Sequence, residues 1–203
     1  MHIKCILFGG TFDPVHCGHI GMLEQLNKEV VTEQIIIIPN KQPPHKAMPI
    51  ATDQQRLALL NIALPQFPSQ CLSSGYVQYK ISSLEINRSG PSYMIDTVNY
   101  YLAKQKVKMI GLLMGGDSFL SFHRWVQYEL LLEKVIPIVI PRHSVLRTVY
   151  LNYQKEKSIN RAIILSSGTV DISSSQIREK NNRGCLDTGI STVNAYIKKE
   201  GLY

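Results

Sequence analysis

The chain has 203 residues, of which 44% are hydrophobic and 18% charged, and its formal net charge is +7. That length carries a core without disulfide or metal staples, and the composition is ordinary for a soluble globular protein. The longest apolar stretches, IIIIP at 35–39 and VIPIVIP at 135–141, are far too short to span a bilayer, and no secretory signal surrounds Lys4. Four cysteines (Cys5, Cys17, Cys71, Cys185) without a C-x-x-C spacing predict reduced thiols in a cytoplasmic protein. The positive charge calls for an anionic partner, but lysines and arginines are spread along the whole chain. Phosphate-bearing small molecules and nucleic acid therefore stay equally open.

In chain order, IKCILF at 3–8 is a short continuous apolar run and predicts a buried strand. A helix follows from about Gly18, with Ile20, Leu23 and Leu26 on one face. QIIIIP at 34–39 predicts a second strand about 30 residues after the first, the length of a βαβ unit. TDQQRLALLNIAL begins at Thr52 with Gln55 three residues on, a capping box, and presents Leu57, Leu60 and Leu64 as its buried stripe before Pro65. Residues 76–86 read as strand and 92–105 as helix. Strands at 107–115 and 134–140 flank a helical YELLLEK, RAIILSS at 161–167 is the last strand, and two helices close the chain at about 173–182 and 188–199. Apolar strands alternating with amphipathic helices predict a parallel sheet covered on both faces. The expectation is one α/β domain over 1–203, a doubly wound sheet of Rossmann-like topology, with a helical end at about 172–203.

In such a fold, ligands sit beyond the carboxyl ends of the strands. GGTFDPVHCGH at 9–19 falls between the first strand and the first helix. Gly9 and Gly10 allow close backbone approach, Asp13-Pro14 supplies a rigid turn, and the helix start favours an anion. His16 and His19 project on roughly the same side. A zinc site is the weaker reading, because His2, His45, His123 and His143 are scattered and no third ligand has a helpful spacing. The stretch also fits an ordinary glycine turn with incidental histidines, and it is neither G-x-G-x-x-G nor a P-loop. ISSSQIR at 172–178 adds a second helix start, with Ser173 to Ser175 as caps and Arg178 one turn in, able to fork onto phosphate oxygens. Taken alone it is equally a serine cap with a surface arginine.

The two stretches together resemble the motifs of the nucleotidyltransferase superfamily of adenylyl- and cytidylyltransferases. IIPNKQPPHK (37–46), EINRSGPSYMIDTV (85–98), GGDSFLSFHRWVQYELLL (115–132) and VNAYIKKEGLY (193–203) are similar to bacterial nicotinate-nucleotide adenylyltransferases, in the same order along the chain. The resemblance implies transfer of AMP from ATP to nicotinate mononucleotide, with release of pyrophosphate and with Mg²⁺ carried by ATP and not by protein ligands. It assigns Gly9, Gly10, Thr11, Phe12, Gly115, Asp117, Ser173 and Ser175 to ATP, with His16, His19 and Arg178 both binding it and acting in catalysis. Asp117, Asn40, Lys46, Tyr93, Met94, Trp125 and Val126 fall to the mononucleotide, Trp125 by stacking on the pyridine ring. The implied ligands are ATP and nicotinate mononucleotide, without nucleic acid or membrane, and a homo-oligomer is left open.

Two positions depart from the family pattern. Met94 stands where threonine is usual, and Val126 follows the tryptophan where tyrosine is common. Nicotinamide mononucleotide, alone or beside the acid, therefore stays an alternative substrate. The PPHK and GPSY blocks speak against pantetheine phosphate. A non-catalytic nucleotide- or nucleic-acid-binding module is the reading from a different class. After the fifth strand the usual RPG is RHS, with Arg142 retained at the edge of the site set.

Overall fold

The computed structural model describes residues 2–44, 47–68, 71–72, 75–166 and 172–203. The apolar run around Cys5 forms β1 (His2–Gly10), in which Cys5 to Phe8 are all buried. Helix α1 (Cys17–Glu29) buries Leu23 and Leu26, and β2 (Val31–Pro39) follows. Helix α2 (Asp53–Ala63) starts with the expected box: Thr52 Oγ1 accepts from Gln55 N (3.3 Å) and Gln55 Oε1 accepts from Thr52 N (2.9 Å). Its buried stripe differs from the expected one. Arg56, Leu59, Leu60 and Ala63 face inward, while Leu57 and Leu64 are only half-buried. The helix is rotated because Arg56, a residue that periodicity counts as polar, is wholly buried with its own partners.

Residues 76–86 divide where one strand was expected. β3 (Cys71–Leu72) pairs antiparallel with β4 (Gly75–Tyr76), β5 (Gln78–Ile81) joins the main sheet, and Leu84–Asn87 coil into α3. The Ser82 hydroxyl accepts from Leu84 N (3.2 Å), a local serine turn that competes with the ladder and ends the strand. Then come α4 (Met94–Gln105), β6 (Ile110–Gly115), α5 (Gly116–Leu120), α6 (Tyr128–Lys134) and β7 (Val135–Ile140). A further helix, α7 (Arg147–Glu156), stands where no element was expected from the sequence; it buries only Tyr150 and Tyr153 and has no side-chain cap to announce it. β8 is just Ile163–Ile164, and α8 (Ser174–Asn182) and α9 (Ser191–Glu200) complete the chain.

The sheet order is β5-β2-β1-β6-β7-β8, with every neighbouring pair parallel. The chain moves outward from β1 to β2 and β5, then crosses back to lay β6 on the other side of β1. Strand order therefore reverses between β1 and β6, which opens a crevice beyond their carboxyl ends. Ile6 and Phe8 of β1 pack with Leu23, Leu60 and Ile197 on one face. Cys5 and Leu7 pack with Val98, Phe119 and Tyr150 on the other. Two apolar layers on one parallel sheet make the fold a doubly wound α/β structure.

Candidate active site

The loop after β1 is held by its carbonyls. Gly10 O accepts from Asn40 N (2.9 Å), and Thr11 O accepts from the buried Arg56 guanidinium (2.7 Å). Asp13 O accepts from Arg178 Nη1 (2.5 Å). Phe12 adopts a left-handed backbone (φ 51°), which costs on the order of 1–2 kcal/mol for a non-glycine residue. Its buried ring offsets that strain by packing between Phe8 (5.5 Å) and His19 (4.8 Å). At Gly9 a Cβ would stand 2.7 Å from the Met94 methyl, and at Gly18 one would stand 2.9 Å from His16 Nδ1. The first close approach admits α4 to the site, and the second admits the His16 ring.

His16 occupies the N-cap of α1 and is 5% exposed. Its backbone N–H donates to His19 Nδ1 (3.2 Å), so neutral His19 carries its proton on Nε2. The two rings lie 3.9 Å apart. His16 Nδ1 is buried without a hydrogen-bond partner, which carries a free-energy cost until something meets it. Burial first, and the Arg142 charge second, push the His16 pKa down to about 4. The imidazole is therefore neutral near pH 7.

Helix α8 closes on this loop from more than 150 residues away. Ser173 caps it in a box with Gln176, Ser174 Oγ donates to Pro14 O (2.9 Å), and Arg178 Nη2 donates to Ser175 Oγ (3.3 Å). On the β6 side, Asp117 lies in the first turn of α5 with its side chain 62% exposed. Arg142, just past β7, meets it through Nε (2.7 Å) and Nη2 (2.5 Å). Asn40 reaches Thr11 Oγ1 (3.5 Å), and its buried Oδ1 is unpartnered. Trp125 is half-buried and edge-on to Phe122 (5.0 Å), with Val126 exposed beside it.

All these groups surround one cavity of about 730 Å³. Lys46 lies outside the described residues, as does His45; every other residue that the resemblance assigns to ATP or to the mononucleotide lines this cavity. Three groups gain weight that sequence reasoning did not give them. Arg142 enters the centre, beside His16 and Asp117. Asp13 is 2% exposed and more than a turn residue. Glu85 lines the cavity near Ser92, accepts from Thr97 Oγ1 (2.6 Å), and has its pKa raised by burial. The alternating pattern around residue 85 read as strand and concealed it. Among the described residues no group of three or more His, Cys, Asp or Glu could hold a metal ion, and no helix is long and apolar enough to cross a membrane.

A doubly wound sheet with paired histidines at one helix start and an arginine-bearing helix start opposite defines a nucleotidyltransferase. A family model described as cytidylyltransferase-like matches residues 7–180. A "probable nicotinate-nucleotide adenylyltransferase" of Klebsiella pneumoniae (strain 342) is 33% identical, over 97% of this chain and 95% of the relative. One of the same name from Yersinia pestis (strain Pestoides F) is 30% identical, over 100% and 96%. The chain belongs to the cytidylyltransferase-like family and, within it, to the nicotinate-nucleotide adenylyltransferases. In shape it is similar to Plasmodium falciparum nicotinic acid mononucleotide adenylyltransferase complexed with NaAD, with a TM-score of 0.75 and 17% identity over 98% of this chain and 96% of that one.

Proposed function

We propose that the chain works as one nucleotidyltransferase domain over 1–203 that transfers the adenylyl group of ATP to nicotinate mononucleotide. The products are nicotinate adenine dinucleotide and pyrophosphate, in NAD biosynthesis. The observation that carries this reading is the meeting of two distant helix starts, His16/His19 and Ser173–Arg178, across one cavity at the switch point of the sheet.

A phosphate monoester has a second pKa of about 6, so the mononucleotide is largely a dianion near pH 7 and needs no general base. One of its oxygens bonds to the α-phosphorus while the bond from that phosphorus to the β-phosphate bridging oxygen breaks, and pyrophosphate leaves with that electron pair. The protein's task is to align two polyanions and to meet the charge that builds on the phosphates. His19, with its proton held on Nε2, and neutral His16 serve as donors to those phosphates. Arg178 supplies a fixed positive fork, and Arg142 a second cation beside His16. Asp117, the exposed cavity carboxylate, would face the hydration shell of a magnesium ion brought by ATP, which would supply neutralisation of phosphate charge. Asp13 is unsuited to that task, since protein donors occupy its oxygens.

Tyr93, Met94, Trp125 and Val126 are assigned to the mononucleotide, with Asn40 and Lys46 on its phosphate side. The proposal places the enzyme in the cytoplasm with small nucleotides as its ligands. Incubation with ATP, magnesium and nicotinate mononucleotide should yield the dinucleotide and pyrophosphate in equal amounts by chromatography. Pyrophosphate without dinucleotide would indicate hydrolysis and contradict the transfer.

A further inference from the structure

Three chain segments converge on the Asp13 carboxylate, which is almost fully buried. Oδ2 accepts from Ile50 N (2.9 Å), and Oδ1 accepts from Ala51 N (3.0 Å) and from the Tyr203 hydroxyl (2.8 Å). Arg178 Nη1 stands 3.6 Å from Oδ2 while it donates to the Asp13 carbonyl. Tyr203 is itself pinned, since Asn181 Nδ2 on α8 donates to its carbonyl (2.6 Å) and to that of Leu202 (3.3 Å). Burial and the neighbouring carboxylate hold the Tyr203 phenol protonated, so it remains a donor throughout the working pH range.

These contacts link the two walls of the cavity. The loop at 9–16 and α8 form the wall assigned to ATP, and the segment from Asn40 to Ala51 carries groups assigned to the mononucleotide. A carboxylate offers about four acceptor positions. Here two hold the mononucleotide-side backbone, one holds Tyr203, and the charge faces the arginine of the ATP side. We propose that Asp13, locked in its rotamer by Tyr203, is a positioning residue that sets the register between the ATP wall and the mononucleotide wall. The inference rests on the function proposed above. In-line transfer needs reacting atoms about 3–3.5 Å apart, and a misplacement of about 1 Å costs on the order of 10²-fold in rate.

Tyr203→Phe removes one hydroxyl and keeps the ring. The expected result is a kcat lower by about tenfold or more, with KM for each substrate within about twofold. Affinity for the dinucleotide product, which spans both walls, should weaken by about tenfold, while each single substrate binds as before. Hydrogen exchange at the Ile50 and Ala51 amides should quicken, with Tm shifted by only a few degrees. Unchanged kcat and unchanged exchange would overturn the proposal. So would a common loss of Tm, kcat and both affinities, which marks a purely structural residue. Absence of turnover in the unaltered protein would count against the proposed reaction instead, and exchange at Ile50 and Ala51 would still decide whether Tyr203 fixes Asp13.

Discussion

His16 should make the stability of the protein fall with acidity in a defined window. A histidine in the unfolded chain titrates near 6.5, whereas burial and Arg142 hold folded His16 near 4. Between those values the unfolded state binds the extra proton, so stability is complete above about pH 6.5 and declines as pH falls toward 4. A separation of about 2.5 units at about 1.36 kcal/mol per unit amounts to about 3 kcal/mol across the window. Of the two causes, burial is the larger, and Arg142 adds repulsion of the protonated ring. Glu85, whose pKa is raised, has the opposite linkage, with stability lost as pH rises through its folded value. Its contribution cancels when two proteins are compared. Urea unfolding of the wild type and of His16→Gln from pH 4 to 7 isolates the His16 effect. The variant should lose the part of the slope due to His16 and can differ by a constant offset. Parallel curves through the window, or an imidazole that titrates near 6.5 by NMR, would refute the reasoning.

Gly116→Ala drives a methyl group into the hydroxyl of the fully buried Tyr150 and should cost about 1–3 kcal/mol, read as a lowered Tm. An unchanged Tm would show that the corner between β6 and α5 relaxes freely. His19→Ala should lower kcat by about 10²-fold or more in a folded protein, and near-normal turnover would remove its role as a donor. Trp125→Ala should raise KM for the mononucleotide far more than KM for ATP; equal effects would mark the ring as packing against Phe122 alone.

The parts of this structure that the sequence disclosed are those governed by local patterns. The Thr52–Gln55 box is a contact between residues three apart and forms as its spacing implied. YELLLEK at 128–134 is α6 end to end, and the apolar run at 3–8 is the buried centre of β1. What escaped depends on tertiary partners. Arg56 turns α2 because the Thr11 carbonyl and Asp53 await it, and no periodicity can show that. Helix α7 stayed hidden because tyrosines supply its buried face and Leu146, Val149 and Leu151 are exposed. The candidate residues announced themselves as motifs, but their convergence did not. Ser174 bonding Pro14, 160 positions away, and Arg142 meeting Asp117 are products of strand order. Asp13 read as half of a turn, and its buried oxygens emerge only once Ile50, Ala51 and Tyr203 are folded around them.

Substrate choice at the Met94 and Val126 positions bears directly on the central claim. Pyrophosphate release from magnesium ATP, followed in parallel with nicotinate mononucleotide and with nicotinamide mononucleotide, measures it. A strong preference for the acid is the predicted result, and it would show that recognition of the carboxylate survives both replacements. Equal or reversed rates would keep an adenylyltransferase but contradict its assigned substrate, and no release with either would contradict the reaction itself.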